Sequence, residues 1–401
     1  MMTADIQSYR ARWVIPVAGP PVANGIVVLH GERIVGIHRT RRPDTVDLGD
    51  VAILPGLVNC HTHLEFSALP EPLRPMQPFT AWIRAVINSR RTRNISVADA
   101  TQHGLQESLR HGVTLLGDIT TTGWTWKDYQ SGPDCVVFQE VLGLSEDRQL
   151  AEGDLAAQHV ANAKRPAGLS PHAPYSVHPE LFRHCVQLCA TKDRSLALHL
   201  AETPAELELL MHGTGEFRTM LDEFGIYRPE LFGGRTWTEF LEPLSELEHA
   251  LIIHGNYLDD DALRFLGQHQ QMTLIYCPRT HAAFGHPPHP WRTLLDIGGS
   301  VALGTDSRAS NPDLSLWAEL QFLAENFPQA SQLELLRLAT LNGARALNQR
   351  ANHGSLETGK LANLIVTSPV PDEGPALHQA LITSSSKVRG VMQRGQWIVR
   401  P

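Results

Sequence analysis

Cysteine is scarce in this sequence, and the few thiols are scattered. The 401 residues include five cysteines, an odd number without the regular spacing of a disulfide-stabilised secreted domain. A small disulfide scaffold is therefore excluded, and reduced thiols in a cytoplasmic protein are expected. The five are Cys60, Cys135, Cys185, Cys189 and Cys277.

Long apolar runs are also lacking. No stretch of about 18 consecutive apolar residues, the length that spans a bilayer, occurs in the chain. The first fifteen residues carry Asp5, Arg10 and Arg12 at scattered positions, without the basic-then-apolar order of a secretory signal. We therefore expect a cytoplasmic protein with no membrane partner.

Positive charge is in the minority. Lysine and arginine together number 34 against 42 aspartates and glutamates, which gives a formal net charge of −8. A mildly acidic protein without basic blocks is a poor candidate for binding nucleic acid or an anionic lipid surface. The expected partner is instead a small-molecule substrate.

What the chain has in quantity is short apolar runs. Hydrophobic residues make up 42% of the sequence, and in the middle of the chain they form eight runs that are mostly separated by segments of helical period. Unbroken apolar runs are typical of strands buried on both faces, so eight of them predict a parallel (β/α)8 TIM barrel over residues 55–354. A flat doubly wound sheet is disfavoured, because no glycine-rich phosphate turn follows the first run. The runs are 53–59, 112–120, 135–143, 167–172, 195–202, 250–255, 272–278 and 300–306.

The two ends of the chain differ from the middle. Residues 1–54 hold short apolar stretches broken by glycine, proline and asparagine, and residues 355–401 show a similar pattern. We expect these segments to pair into one small composite β-sandwich beside the barrel. Before the second segment, the amphipathic stretch 331–348 is predicted as one helix that closes the barrel region.

Histidine is abundant, and its placement matters more than its number of 20. Histidines from five predicted strands, with two carboxylates, fall at or just after the carboxyl ends of the runs, where TIM barrels carry their active sites. Residues i and i+2 of an extended segment point the same way, so two of these histidines can share one ion. The cluster therefore predicts a metal site. The polar residues at these ends are His61, His63, His172, His199, Glu202, His254, Arg279, His281 and Asp306.

The ligand chemistry narrows the choice of metal. Three imidazoles with one carboxylate suit Zn²⁺ or Fe²⁺ and leave one position for water. Such an ion lowers the pKa of a bound water from about 15.7 towards about 7. One divalent ion, Zn²⁺ or Fe²⁺, is the expected cofactor, and the ligand types do not choose between the two.

Five motifs together resemble the amidohydrolase superfamily, in particular its mononuclear deaminase and chlorohydrolase branch. They are PGLVNCHTHLE, ALHLAET, IIHG, CPRTHAAFG and LGTDSRASN, and with GSLETGKLANL at residues 354–364 the resemblance extends from about residue 51 to residue 364. It implies a barrel with a composite β-sandwich, which agrees with the pattern of the runs. It also implies an activity like that of S-adenosylhomocysteine or aminodeoxyfutalosine deaminases.

The resemblance assigns roles by motif. It implies a single metal held by four ligands, with Glu202 as the proton shuttle and His254 as the partner of the hydrolytic water, aided by Asp306. His172 and Ser310 are implied to contact the substrate. The implied metal ligands are His61, His63, His199 and Asp306.

The substrate remains open at this stage. The stretch PMQPFTAWIRAV resembles the family's specificity loop but lacks the glutamate that nucleoside-binding members use on ribose, so Gln77 or Trp82 is expected in its place. Arg279 and His281 are expected to contact substrate, whereas the nearby His286 and His289 are expected to be exposed loop residues.

The primary hypothesis is an aminohydrolase that releases ammonia from an amino-substituted N-heterocycle or nucleoside-like molecule. A chlorohydrolase or cyclic amidase that uses the same site is the alternative. A non-catalytic scaffold of the same fold is a remote one. A homodimer is the assembly that the resemblance suggests.

Overall fold

The first seven strands precede the barrel and belong to two sheets. The computed structural model describes residues 6–40 and 42–401, so the first five residues of the predicted β-sandwich, Asp5 included, lie outside the described part. These strands are β1 (Ile6–Arg10), β2 (Trp13–Val14), β3 (Val22–Ala23), β4 (Ile26–His30), β5 (Arg33–His38), β6 (Val46–Asp47) and β7 (Ala52–Pro55).

Eight parallel strands then form the centre of the fold, and the eight apolar runs of the sequence supply one each. Every strand pairs in parallel with its neighbour in chain order. The predicted barrel is confirmed. Its strands are β8 (Leu57–Thr62), β9 (Val113–Thr120), β10 (Asp134–Val141), β11 (Ala167–Pro171), β12 (Ser195–Leu200), β13 (Ala250–His254), β14 (Met272–Tyr276) and β15 (Ser300–Leu303).

The first and last barrel strands meet at a seam. The backbone N–H of Asp306, which follows β15, donates a 3.0 Å hydrogen bond to the carbonyl of His61 in β8. The side chain of Asn59 adds two bonds to Thr305, one at 2.8 Å to its hydroxyl and one at 3.1 Å from its N–H. The seam therefore brings two residues of the predicted metal site next to each other.

Helices lie between most of the barrel strands, and several begin at residues typical of helix starts. Thr203, Asp259 and Ser315 each accept a hydrogen bond from a backbone N–H of the first turn. The helices are α1 (Phe79–Thr92), α2 (Val97–Arg110), α3 (Glu146–Asn162), α4 (Pro179–Lys192), α5 (Pro204–His212), α6 (Gly215–Glu223), α7 (Thr238–Leu244), α8 (Asp260–Gln268), α9 (Pro278–Phe284), α10 (Trp291–Asp296), α11 (Leu316–Asn326), α12 (Gln332–Leu338), α13 (Leu341–Ala346) and α14 (Leu377–Ala380). Short 3₁₀ turns occupy Leu64–Phe66, Trp126–Tyr129, Pro229–Leu231 and Gly374–Ala376.

The single helix predicted over 331–348 is wrong, because the chain forms α12 and α13 with a break between them. At the break, the carbonyl of Ala339 accepts a 2.8 Å hydrogen bond from Val58 of the first barrel strand, and the Thr340 hydroxyl donates to Leu336. The break turns α13 under the barrel, where Ala344 and Leu347 join the interior core that includes Phe138. This end of the barrel is thereby sealed, opposite the carboxyl ends of the strands.

The C-terminal segment returns to the N-terminal one. Strand β16 (Leu364–Ser368) pairs antiparallel with β7, so strands from both terminal segments share one six-stranded sheet in the order β18-β17-β16-β7-β2-β3. The other sheet has the order β5-β4-β1-β6. The last three strands are β16 (Leu364–Ser368), β17 (Lys387–Gln393) and β18 (Gln396–Val399).

The two end sheets share one apolar core. Side chains of the four-stranded sheet pack in the same buried cluster as side chains of the six-stranded sheet, as in a β-sandwich. This arrangement agrees with the expected composite β-sandwich, whose limits at residues 54 and 355 remain a prediction. The shared core includes Tyr9, Val27, Leu29, Val14, Ile53, Leu364, Val366 and Met392.

None of the helices within residues 6–40 and 42–401 combines the length and the apolar character needed to cross a bilayer.

Candidate active site

Four predicted metal ligands converge at the carboxyl ends of three barrel strands. The Nε2 atoms of His63 and His199 lie 3.4 Å apart, and His61 Nε2 lies 3.5 Å from a carboxylate oxygen of Asp306. The ring of His61 is 4.9 Å from that of His63 and 5.0 Å from that of His199, measured between centroids. Chain segments far apart in sequence therefore bring three imidazoles and one carboxylate to one point.

The nitrogen atoms at this point suit a cation. His61 is fully buried, and within the described chain neither of its ring nitrogens has a hydrogen-bond partner. Burial lowers the pKa of His63 to about 3 and that of His199 well below its usual value, so both rings are neutral and offer a lone pair. Two neutral ring nitrogens 3.4 Å apart need a proton or a metal ion between them. These residues therefore fit a divalent ion.

Neighbouring groups fix the orientation of two ligands. His199 donates from Nδ1 to the backbone carbonyl of His172 at 2.9 Å, which leaves Nε2 free for a metal. Asp306 accepts a 2.5 Å hydrogen bond from the Ser310 hydroxyl at its second oxygen, and Ser310 in turn lies 3.1 Å from the hydroxyl of Thr280. Such contacts hold the ligand side chains in place before any ion binds.

Asp118, near the end of β9, holds the backbone around these ligands through hydrogen bonds. Its carboxylate accepts hydrogen bonds from the N–H of Leu64 at 2.9 Å and from the hydroxyls of Thr62 and Tyr129 at 3.2 and 2.5 Å. The observed contacts fix the chain on both sides of His63.

Glu202 and His254 form a second pair beside the metal ligands. A carboxylate oxygen of Glu202 lies 3.4 Å from Nε2 of His254, and both residues are buried. Burial, with smaller effects of Asp306 and Glu206, raises the pKa of Glu202 well above its usual value. The backbone N–H of Glu202 donates to Glu206 at 2.8 Å, and its carbonyl accepts from Asn256 at 2.9 Å. The pair is thus held rigidly at the edge of the cavity.

The backbone is left-handed at three of the strand ends that form the site. Ala201, His254 and Asp306 have φ values of 55°, 66° and 57°, a region that non-glycine residues rarely adopt. Such a turn directs the side chain away from the strand direction. At His254 the turn is held by His289, whose Nε2 donates to the carbonyl of His254 at 2.7 Å.

A cavity of about 420 Å³ opens in front of these residues. The predicted substrate contacts His172 and Trp82 line it, together with His63, His199, Glu202, His254 and Asp306. Nδ1 of His172 lies 2.9 Å from the hydroxyl of Ser176, and the Trp82 indole N–H donates to the carbonyl of Ala309 at 3.3 Å. Both aromatic rings therefore have a fixed orientation at the cavity wall.

One face of α1 forms an apolar side of the cavity, which sequence reasoning missed. Its members recur at helical spacing, so the 3.6-residue period that normally marks a core-facing stripe here marks a wall. Met220, Leu221 and Phe224 from the α6 region lie on the same cavity. The stripe consists of Phe79, Trp82, Ile83, Val86 and Ile87.

Three predicted substrate contacts lie outside the set of described residues that line the cavity. Ser310 is buried and binds the Asp306 carboxylate instead. The Arg279 guanidinium pairs with Glu319 at 2.7 Å and with Asp313 at 2.6 Å, so its donors are used within the protein. His281 packs against the ring of Tyr276 and is mostly buried. The geometry therefore does not support direct substrate contact by these three residues.

The remaining candidates also have defined places. Gln77 donates to the carbonyl of Phe284 at 3.0 Å and is absent from the described cavity lining. Cys60 lies in the barrel interior, where burial raises the pKa of its thiol, so it is not a nucleophile. His289 is buried rather than exposed. Glu140, in the cavity wall, was missed from the sequence, because it lies inside the apolar run 135–143 and not at its end.

Comparisons with known proteins agree with this geometry. The model of the amidohydrolase family matches residues 52–398. The chain is 27% identical over 388 residues to a 5-methylthioadenosine/S-adenosylhomocysteine deaminase of Moorella thermoacetica, covering 88% of this chain and 83% of the relative.

Two solved structures share the fold. One is Helicobacter pylori aminofutalosine deaminase in complex with methylthio-coformycin, with a TM-score of 0.81, 24% identity and coverage of 98% of this chain and 100% of that one. The other is atrazine chlorohydrolase from Arthrobacter aurescens complexed with zinc, with a TM-score of 0.78, 19% identity and coverage of 98% and 95%.

Proposed function

Because this chain belongs to the amidohydrolase family, we propose that it is a metal-dependent deaminase, which releases ammonia from an amino-substituted N-heterocycle or nucleoside-like substrate. The Moorella thermoacetica relative, which is similar in sequence over 88% of this chain, carries a deaminase name, whereas the chlorohydrolase shares only the fold at 19% identity. Deamination is therefore preferred over dechlorination or cyclic amide hydrolysis.

The proposed metal site consists of His61, His63, His199 and Asp306, with one divalent ion, Zn²⁺ or Fe²⁺. A bound ion of this kind supplies Lewis acidity that activates water near neutral pH. Zinc in a structure of the same fold supports Zn²⁺ as a candidate. Imidazole and carboxylate ligands also accept Fe²⁺, so metal analysis has to decide.

Two of the cavity carboxylates, Asp306 and Glu202, suit opposite roles. The neighbouring histidines, led by His61, outweigh burial and hold the pKa of Asp306 below its usual value, so Asp306 is ionised. Burial raises the pKa of Glu202, so its protonated form persists to higher pH. Two carboxylates whose pKa values are pushed apart indicate an acid and a charged ligand or base in one site.

Proton transfer follows from these states. Glu202 donates a proton to a ring nitrogen of the substrate, which makes the amino-bearing carbon easier to attack. His254, 3.4 Å from Glu202, accepts a hydrogen bond from the hydrolytic water and orients it. Glu202, now a carboxylate, takes up the proton that the attacking water loses and passes it to the amino group, which leaves as ammonia. Glu202 thus transfers a proton both when the water attacks and when the amine leaves.

The cavity fits the proposed substrate in size and character. A volume of about 420 Å³ lies in the range of small-molecule sites, which are apolar with a few polar groups that fix orientation. The face of α1 offers aromatic and aliphatic contacts to a flat ring. The polar groups lie on the opposite side, at the strand ends.

The observation that carries the proposal is the placement of Glu202 and His254 at 3.4 Å from each other beside the four ligand side chains. The test is ammonia release from a panel after the metal content of the same preparation has been measured. The panel holds adenosine, S-adenosylhomocysteine, methylthioadenosine, aminodeoxyfutalosine, guanine, cytosine and melamine. A chloro-triazine, followed by chloride release, represents the alternative.

Each outcome has a clear meaning. About one equivalent of zinc or iron with ammonia from any member supports the proposal. The same metal content with chloride release alone would replace deamination by dechlorination. A protein that takes up no metal on reconstitution would contradict the site itself and favour a scaffold.

Compartment and assembly remain predictions beside this proposal. We keep the cytoplasm and a homodimer as the expected states. Cell fractionation tests the first, and light scattering of the purified protein tests the second.

A further inference from the structure

We propose that Glu140 is a specificity-determining residue of the substrate cavity, whose free carboxylate oxygen accepts a hydrogen bond from an O–H or N–H group of the substrate. This inference rests on the proposed function and deepens it, because it names a chemical requirement on the substrate.

The position of Glu140 in β10 directs it to the site. Along a strand, alternate residues point to the same side. Val136 and Phe138 belong to the interior core of the barrel, and Glu140 is the next residue with the same orientation. It lines the cavity at the level where the neighbouring strand β11 leads into His172. Glu140 is therefore the contribution of β10 to the ring of polar side chains at the strand ends.

The hydrogen bonding of Glu140 is incomplete. One carboxylate oxygen lies 3.4 Å from a terminal nitrogen of Arg90, which is a long contact. The other oxygen is buried and has no hydrogen-bond partner among the described residues. The residue as a whole is 4% exposed. A buried carboxylate oxygen without a donor is costly, so this oxygen points to a ligand that supplies one.

The arginine beside Glu140 is already engaged by another carboxylate. Arg90 donates to Glu65 at 2.9 Å and 3.2 Å, and Arg93 adds a further bond to Glu65 at 2.9 Å. Glu65 thus has several short hydrogen bonds, whereas Glu140 has only one long contact with Arg90. Two buried carboxylates share one arginine unequally, and the less satisfied one lies at the cavity.

The charge state of Glu140 agrees with a role as acceptor. Burial alone would raise its pKa, but the charge of Arg90 and its hydrogen bond bring the pKa below the usual value. An ionised carboxylate accepts hydrogen bonds and cannot donate one. The matching group on the substrate is therefore a donor.

Two kinds of substrate donor have this chemistry. One is a hydroxyl on a sugar-like substituent of the heterocycle, and the other is an N–H of the ring system itself. Both form a charge-assisted hydrogen bond with a carboxylate, which is stronger than a neutral one. Ligand pairs that differ in one of these donors show which of the two Glu140 binds.

The experiment compares three purines with the same 9-substituted adenine-like core. Adenosine against 9-ethyladenine tests the hydroxyl donor, and 2,6-diamino-9-ethylpurine against 9-ethyladenine tests the N–H donor. Values of kcat/KM are measured for wild type, Glu140→Leu and Glu140→Gln. Dissociation constants are measured by calorimetry in a metal-loaded Glu202→Gln background, in which turnover is strongly slowed, with Glu140 intact and with each Glu140 variant.

We expect wild type to prefer one donor-bearing ligand by about ten- to a hundredfold, in both binding and kcat/KM. Glu140→Leu should remove this preference, and Glu140→Gln should reduce it. Glu65→Gln is the matched control, because it alters the same arginine from outside the cavity lining, and it should keep the preference. Metal content should equal that of wild type in every variant.

Three results would overturn the inference. They are the absence of a preference in wild type, an unchanged preference in Glu140→Leu, and metal loss in Glu140→Gln, which would mean that Glu140 acts through His63. Failure of the proposed function is distinguishable, because wild type would then release no ammonia while the binding measurements still report on Glu140.

Discussion

The imidazole of His289 donates a 2.7 Å hydrogen bond from Nε2 to the backbone carbonyl of His254. Its other nitrogen accepts a bond from the N–H of Trp291 at 3.0 Å, and its ring stacks on Tyr276 with centroids 3.8 Å apart. Both nitrogens are therefore used, and burial lowers the pKa of His289 to about 3, which keeps the ring neutral. This contact holds the carbonyl of a residue whose φ is 66°, so His289 is a positioning residue for His254.

Replacing His289 by phenylalanine should keep the ring stacking but remove both hydrogen bonds. We expect kcat to fall by about tenfold, because His254 loses the contact that fixes its backbone, with little change in KM. The melting temperature should also fall, since two buried polar groups lose their partners at about 1 to 3 kcal/mol each. Steady-state kinetics and thermal unfolding of the metal-loaded variant provide both readings. Wild-type kcat in a destabilised variant would restrict His289 to a structural role.

Metal content should depend on His199. Its replacement by alanine removes one of four ligands, so bound zinc or iron should drop well below one equivalent and activity should fall by at least about 10³-fold. His103→Ala is the matched control, because His103 is an exposed residue of α2 and should keep both metal and activity. Elemental analysis after extensive dialysis is the measurement. Full metal content in His199→Ala would contradict the ligand assignment.

The pH dependence of the reaction should reflect the protonation state of Glu202. Burial raises the pKa of this carboxyl, and the protonated form is the one that donates to the substrate. Activity should therefore persist above the usual glutamate range and decline as the pH rises through the raised pKa, because the donor is lost. Glu202→Gln should lower kcat by about 10²- to 10⁴-fold and abolish this decline in the residual rate. A profile of kcat/KM against pH tests both statements, and an identical alkaline decline in Glu202→Gln would assign it to another group.

Replacing Arg279 tests whether this residue stabilises the fold or contacts the substrate. Arg279→Met should lower the free energy of unfolding by about 3 to 5 kcal/mol, because the fully buried Glu319 loses its main charged partner. Replacing Glu319 by leucine as well should recover part of the loss. Denaturant unfolding gives the stability, and KM should change by less than about twofold for every substrate. A selective rise in KM with unchanged stability would restore the predicted substrate contact.

Much of the fold was predictable because the signals are local. Each buried parallel strand leaves an unbroken apolar run, so the eight runs marked all eight barrel strands. The break between α12 and α13 was not visible in this way. Its cause is a hydrogen bond between Ala339 and Val58, which are nearly three hundred residues apart in the sequence.

The residues of the site likewise differ in how well the sequence predicted their places. Strand ends placed nine polar residues together, since every parallel strand delivers its last residues to one face of the barrel, and the motif resemblance singled out four of them as the proposed ligands. Loop residues were harder to place. Arg279 and His281 follow a strand end as closely as the ligands do, but the short helix α9 turns them away from the cavity. His289 lies in a proline-rich loop that the sequence favoured as exposed, and only its partners reveal its burial.

The pairing of β7 with β16 has a consequence for biosynthesis. Leu54 lies opposite Ile365, so a strand made near the start of translation finds its partner only when some three hundred more residues have left the ribosome. Contacts of such sequence separation are slow to form, and an unpaired strand edge is exposed to aggregation in the meantime. One edge of β7 therefore stays unpaired until the end of the chain has been made, although its other edge pairs with β2. Nascent chains released before residue 364 should depend on chaperones even when all eight barrel strands have been made.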